Sequence, residues 1–265
     1  MKKLLLVIIS TLMITTTSIT AFAAPSSNQS TQFNLVDHGD WPLPSADSRS
    51  ISREEAAQIG VYALEQFFNA DISGSTVFMH YNERIESRTG EIGGMRYEQI
   101  EIPSQWSGFI MPGGSDNIYK YWFSEFDFII NAETGELMAA RFTPGTTEAT
   151  TMTTPSYRVT DHSDFFGFEP TAQHNINFSR LSMDIAQEFN LFEREVARAR
   201  LVALMHGASP MGQPILQFMV EIQSVDGETM LLRFDGENQP VLTSVENDFS
   251  LWAWRGSSRF DWVTR

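Results

Sequence analysis

The sequence predicts an α+β fold in which a helix packs on an antiparallel β-sheet, and it predicts that this unit occurs twice. Three observations carry the expectation. A capped, amphipathic helix opens near Ile51; segments rich in β-formers, punctuated by turn residues, follow it to Phe142; and short marks of the same kind recur in the same order after a Thr-rich break. With 42% hydrophobic and 12% aromatic residues, the 265-residue chain can bury a core, which excludes wholesale disorder.

Residues 1–23 read as a signal peptide. Lys2 and Lys3 form a basic start, Leu4 to Ile14 an apolar centre, and Ala21-Phe22-Ala23 a small-residue cleavage site. The apolar run falls short of the roughly 20 residues that a spanning helix needs. A cut after Ala24 would place Pro25 directly behind it and is disfavoured. An uncleaved membrane anchor is the alternative. The expectation is a mature chain in the medium or cell-wall space, without stable membrane insertion after cleavage.

Residues 24–50 are rich in Ser, Asn, Asp and Pro around the apolar knot Trp41-Pro42-Leu43-Pro44, and read as an extended leader. Ser52 and Glu55 then form an S-x-x-E capping box, and Ala56, Ile59, Ala63, Leu64 and Phe67 repeat at helical spacing. That helix should stop near Asn69. Thr76–Tyr81, Arg96–Ile102, Trp106–Met111, the long aromatic and β-branched run Tyr119–Ile130 and Glu136–Phe142 read as strands, with Asn131-Ala132-Glu133-Thr134-Gly135 as a turn whose Gly135 suits a positive φ. Residues 51–143 thus form a first module.

Residues 144–176, dominated at first by Thr with Pro144, Gly145 and Pro155, read as a linker. A second module is expected over 177–248. Ile51-Ser52-Arg53 is echoed by Phe178-Ser179-Arg180, and Phe78-Met79-His80 by Leu204-Met205-His206. The run from Gly135 to Phe142 shares G-E-x-M-x-x-R-F with the run from Gly227 to Phe234. The last hairpin can instead be aligned on Asp235-Gly236-Glu237-Asn238. The first copy carries an excess of residues around Asn82 to Gly114.

A helix opening Ile51-Ser52-Arg53-Glu54-Glu55-Ala56, followed by the hairpin Phe126-Asp127-Phe128-Ile129-Ile130-Asn131-Ala132-Glu133-Thr134-Gly135-Glu136-Leu137, resembles the PepSY/YPEB module of exported bacterial proteins. The resemblance covers residues 51–143, and 177–248 loosely. It implies two cystatin-like modules without catalytic residues, of a kind found beside peptidases or wall hydrolases and thought to inhibit or regulate them.

The chemistry that the residues themselves suggest is sparse. There is no cysteine, which removes disulfides, thiolate nucleophiles and Cys-type zinc sites. Without Lys2 and Lys3 the mature chain carries 16 basic and 33 acidic residues, a net −17, which opposes nucleic-acid binding and favours a basic partner. His38, His80, His162, His174 and His206 include no H-E-x-x-H and no i, i+4 pair. His80 and His206 occupy matching places in the echoes and suggest a shared packing role. Asp161-His162-Ser163-Asp164 is a turn, because adjacent side chains diverge and cannot form a triad. The expectation is therefore no catalytic, cofactor or metal residues.

The C-terminal stretch 249–265 reads as an aromatic hairpin. Alternation would put Trp252 and Trp254 on one face, with Phe260 and Trp262 able to join them as a partner-binding surface; the competing assignment is that these rings cover the core. The function expected is an exported, non-catalytic binding or regulatory protein acting on another exported protein. The alternatives are a carbohydrate or cell-wall binding protein using these tryptophans, and an exported hydrolase whose acidic site is not visible in sequence.

Overall fold

A computed structural model describes residues 31–36, 43–44, 50–85, 88–92, 95–99, 102–111, 124–143, 169–208, 214–247 and 260–265. It is a mixed α+β structure of two helices and mostly strands. The elements are β1 (Asn34–Val36), α1 (Arg53–Phe68), β2 (Thr76–Asn82), β3 (Arg88–Ile92), β4 (Met95–Gln99), β5 (Gln105–Met111), β6 (Phe126–Asn131), β7 (Leu137–Phe142), α2 (Ala172–Glu188), β8 (Val196–Ala208), β9 (Pro214–Ser224), β10 (Thr229–Asp235), β11 (Val241–Glu246) and β12 (Val263–Thr264).

Ten strands form one sheet in the order β1-β2-β5-β6-β7-β11-β10-β9-β8-β12. In each half a helix is followed by four strands that pair as an antiparallel meander, β2-β5-β6-β7 and then β8-β9-β10-β11. The last strand of each meander meets the other at the centre, where Ala139, Ala140 and Arg141 of β7 face Glu246, Val245 and Ser244 of β11. The order of the second meander is therefore reversed across this seam, as a two-fold relation would require.

The first helix forms where the sequence places it. Ser52 Oγ accepts from Glu55 N–H at 3.1 Å, and the helix ends on Asn69 in the left-handed region at φ 51°. Ala56, Ile59, Ala63, Leu64 and Phe67 are all buried, against β5, β6 and β7. The contact is close because Gly60 and Gly108 flank the ring of Phe128. A Cβ on Gly60 would lie 2.1 Å from Phe128 Cδ2, and one on Gly108 would lie 2.0 Å from Cζ. The second helix packs on β8, β9 and β12, with Phe178 stacked on Phe218 at 4.1 Å. The two helices lie on the same face, for Phe67 of α1 meets Phe189 at the end of α2 edge to face at 5.4 Å. One continuous hydrophobic core runs beneath both.

Several boundaries differ from those the sequence predicts. The leader contributes β1, which pairs parallel with β2 while Phe33 and Leu35 pack on the core. The second helix starts at Ala172, inside the span assigned to the linker. Its cap is Thr171, and Ser179 is a buried mid-helix residue rather than the counterpart of Ser52. The Gly135 turn joins the third strand of its meander to the fourth, whereas the Gly227 turn joins the second to the third. By strand order the counterpart of Asn131–Gly135 is the turn at Asp235-Gly236-Glu237-Asn238. Both glycines have positive φ and precede a strand, so local turn chemistry matches where topology does not. The excess residues of the first half form β3 and β4, a separate two-stranded sheet joined at its base by the Ile85–Ile102 bridge.

Candidate functional site

The aromatic surface expected at the C-terminus is only partly within the described residues, with Trp252 and Trp254 outside them. Phe260 does not join an exposed row, because it packs against the core together with Val263. The reason is pairing. Residues Val263 and Thr264 add to the edge of β8 opposite Ala199 and Arg198, while the other arm of the expected hairpin, Leu251 to Arg255, lies outside the described residues. Asn175 of α2 fixes the junction: its Oδ1 accepts from Leu201 N–H at 2.7 Å, and its Nδ2 donates to Asp261 O at 3.0 Å. A buried amide thus satisfies one backbone group on each side.

Trp262 is placed differently. Ala199 and Leu201 of β8 turn into the core beneath α2, so Arg198 and Arg200 turn to the opposite face. There both guanidinium groups lie over the indole of Trp262, at 4.2 and 4.3 Å from the ring. Arg200 is also paired with Glu221 directly across the β8–β9 ladder, with Nε and Nη2 each 2.8 Å from Oε2. Arg198 faces Gln223 in the same ladder and donates from Nε to its Oε1 at 2.8 Å. Gln223 is held in turn by donating from Nε2 to Gly227 O at 3.2 Å. Sequence alternation points to Trp262, but not to the two arginines beneath it. Arg198 and Arg200 at i, i+2 on a strand, opposite polar residues, are the available signal.

A second cluster of charged groups occupies the seam. Arg141 bonds Asp127 at 3.2 Å and Glu246 at 3.3 Å, Arg233 bonds Glu246 at 3.1 Å, and Ser244 donates to Glu246 at 2.8 Å. These groups come from the four central strands β6, β7, β11 and β10. Glu246 is only 2% exposed. Burial raises the Asp127 carboxyl against the pull of Arg141. Burial also opposes the charge on Arg141, but Asp127 and Glu246 outweigh it and raise its pKa, whereas burial prevails at Arg233 and lowers it. Two cations and two carboxylates pair across four adjacent strands, so the cluster ties the two halves of the sheet together.

Near the start of the second helix, His174 completes a capping box. Its Nδ1 accepts from Thr171 N–H at 2.9 Å, so the ring proton sits on Nε2 and is donated to Glu237 at 2.8 Å. Asp235, which opens the same turn, is 3% exposed; burial raises its carboxyl to about 6 although Gln217 hydrogen-bonds it. His80 lies mid-strand in β2 and His206 near the end of β8, so both occupy the first strand of a meander but at different heights. Among the described residues no group of three His, Asp or Glu side chains is arranged to hold a metal.

No protein-family model, no curated protein and no solved structure matches the chain. What can be concluded about its role therefore rests on this chain's own residues.

Proposed function

We propose that the chain is an exported, non-catalytic binding or regulatory protein of two PepSY-like, cystatin-like modules, acting on an exported peptidase or cell-wall hydrolase. The observation that carries the reading is the repeated helix-on-meander unit, whose first copy bears the Ile51-Ser52-Arg53-Glu54-Glu55-Ala56 opening and the Asn131–Gly135 turn of that module. The signal-like residues 1–23 support export. The net charge of −15 supports a basic partner, because opposite fields speed encounter.

The test uses the mature chain, residues 24–265, immobilised against the exported proteins of the producing cell. A captured hydrolase, purified, should lose or gain activity when the chain is added, and association should slow as salt shortens electrostatic reach to about 8 Å. Purified chain that itself turns over peptide, ester or glycan substrates, with activity tracking one carboxylate, would overturn the reading. The carbohydrate-binding alternative draws on the C-terminal tryptophans, of which Trp262 lies among the described residues and Trp252 and Trp254 outside them, and glycan-dependent quenching of their fluorescence would favour it.

A further inference from the structure

We propose that Arg198, seated on Trp262, is a recognition site for a carboxylate. Two neighbouring arginines on this face are unequally partnered. Arg200 has its charge met by Glu221 across the ladder. Arg198, two residues away on the same face and under the same indole, has the neutral amide of Gln223 in the corresponding place. Among the described residues no carboxylate lies within ion-pair distance of Arg198. In a chain with 33 acidic and 18 basic residues, a half-buried arginine that meets no carboxylate among the described residues stands out on charge grounds alone.

Its geometry is also fixed in advance. Gly227 O orients the Gln223 amide, the Gln223 oxygen takes the Arg198 Nε proton, and the indole covers one flat side of the guanidinium. What remains is the edge formed by the two terminal amino groups. Two parallel N–H donors on a rigid plane match the two oxygens of a carboxylate, which is why arginine and not lysine serves such sites. The stack also keeps the side chain from losing rotamer freedom on binding, so the ordering cost is already met. The surrounding negative field works against an anion, so a single carboxylate should bind weakly.

A carboxylate of this kind can come from the end of a peptide chain or from an acidic sugar. The site does not depend on the partner being a hydrolase: capture of a partner can fail while the site stands, and the reverse.

The experiment is a titration of the 15N-labelled mature chain, following the Trp262 indole and Arg198 Nε resonances, each assigned by Trp262→Phe and Arg198→Gln. The probes are N-acetyl-alanyl-alanine against its C-terminal amide, and glucuronate against glucose, each to about 50 mM. The carboxylates should shift both resonances saturably, with Kd on the order of millimolar, and the neutral analogues should not. Arg198→Gln should abolish the response with the other indole resonances in place, and Arg198→Lys should weaken it several-fold. A stronger response to the peptide assigns the source to a chain terminus, and a stronger response to glucuronate to an acidic glycan. No carboxylate response at the highest concentration, or an equal response in Arg198→Gln, would overturn the proposal and leave the stack as surface packing.

Discussion

The two halves of the molecule solve one problem with different bonds. In each, the start of the helix must be tied to the turn between the third and fourth strands. The N-terminal half uses backbone for that tie: Ile51 N–H donates to Ala132 O at 2.7 Å. The C-terminal half uses side chains, with His174 bridging Thr171 and Glu237. The turns diverge as well. Asn131 Oδ1 accepts from Glu133 and Thr134 N–H and so stabilises its own turn, whereas Asp235 in the corresponding place is buried and holds its proton to about pH 6. Topology is shared and chemistry is not. Equivalence therefore has to be read from strand order, because the equivalent residues no longer spell the same words.

The largest effect should come from the seam, where the halves depend on each other. Glu246→Ala would leave Arg141 and Arg233 facing a buried gap and should cost about 3–5 kcal/mol. Chemical denaturation should show both halves losing stability together. If only one transition shifts, the halves are independent and the single-sheet description fails.

Asp235→Asn places in the second half the type of residue the first half has at Asn131. The folded carboxyl titrates near 6 and the unfolded one near its ordinary value of 3.8. The folded state therefore binds more protons between those values. The stability this proton supplies is complete below about pH 4 and is lost as pH rises through 6. At pH 7.5 the ionised, buried Asp235 should cost about 3 kcal/mol, because each tenfold difference in proton affinity between the folded and unfolded chain corresponds to about 1.4 kcal/mol. The Asn variant should be more stable than the parent above pH 6, and that advantage should vanish below pH 4. Parallel pH curves for the two would show that Asp235 is not a source of the difference between the halves.

Gly60→Ala tests the close approach in the first half. Helix propensity alone would favour Ala by about 1 kcal/mol. The clash with Phe128 should reverse the sign and cost about 1–3 kcal/mol in thermal unfolding. Smallest are the caps: Ser52→Ala and Thr171→Ala should each cost about 1 kcal/mol, the second removing the hydroxyl that accepts from His174 N–H while the backbone Thr171 N–H still bonds the His174 ring.

What is legible in the sequence is local. The Ser52 cap, the stripe from Ala56 to Phe67, the stop at Asn69 and the Gly135 turn are each set by residues a few positions apart, and all are present. The cap on α2 escapes a sequence reading because Thr171 sits among polar residues beside the Thr-rich stretch, and His174 replaces the Glu or Gln that marks a capping box. The seam, β1 and β12 escape it because they join residues far apart in the chain: Arg141 with Glu246, Asn34 with Thr76, Val263 with Ala199. No periodicity reports such pairings. Trp262 can be singled out as an aromatic on an alternating strand, but its arginine bed belongs to a strand some sixty residues earlier.

The central claim is that the two meanders meet through their last strands as one sheet. Asn247 N–H bonds to Met138 O, and antiparallel pairs alternate between hydrogen-bonded and non-hydrogen-bonded. Arg141–Ser244 and Ala139–Glu246 are therefore the non-hydrogen-bonded pairs, in which the α-protons approach most closely. Nuclear Overhauser spectra of residues 24–265 should show α-proton to α-proton cross-peaks for both pairs. Their absence, with β7 or β11 giving such peaks to other strands only, would contradict the seam and with it the equivalence of the two halves.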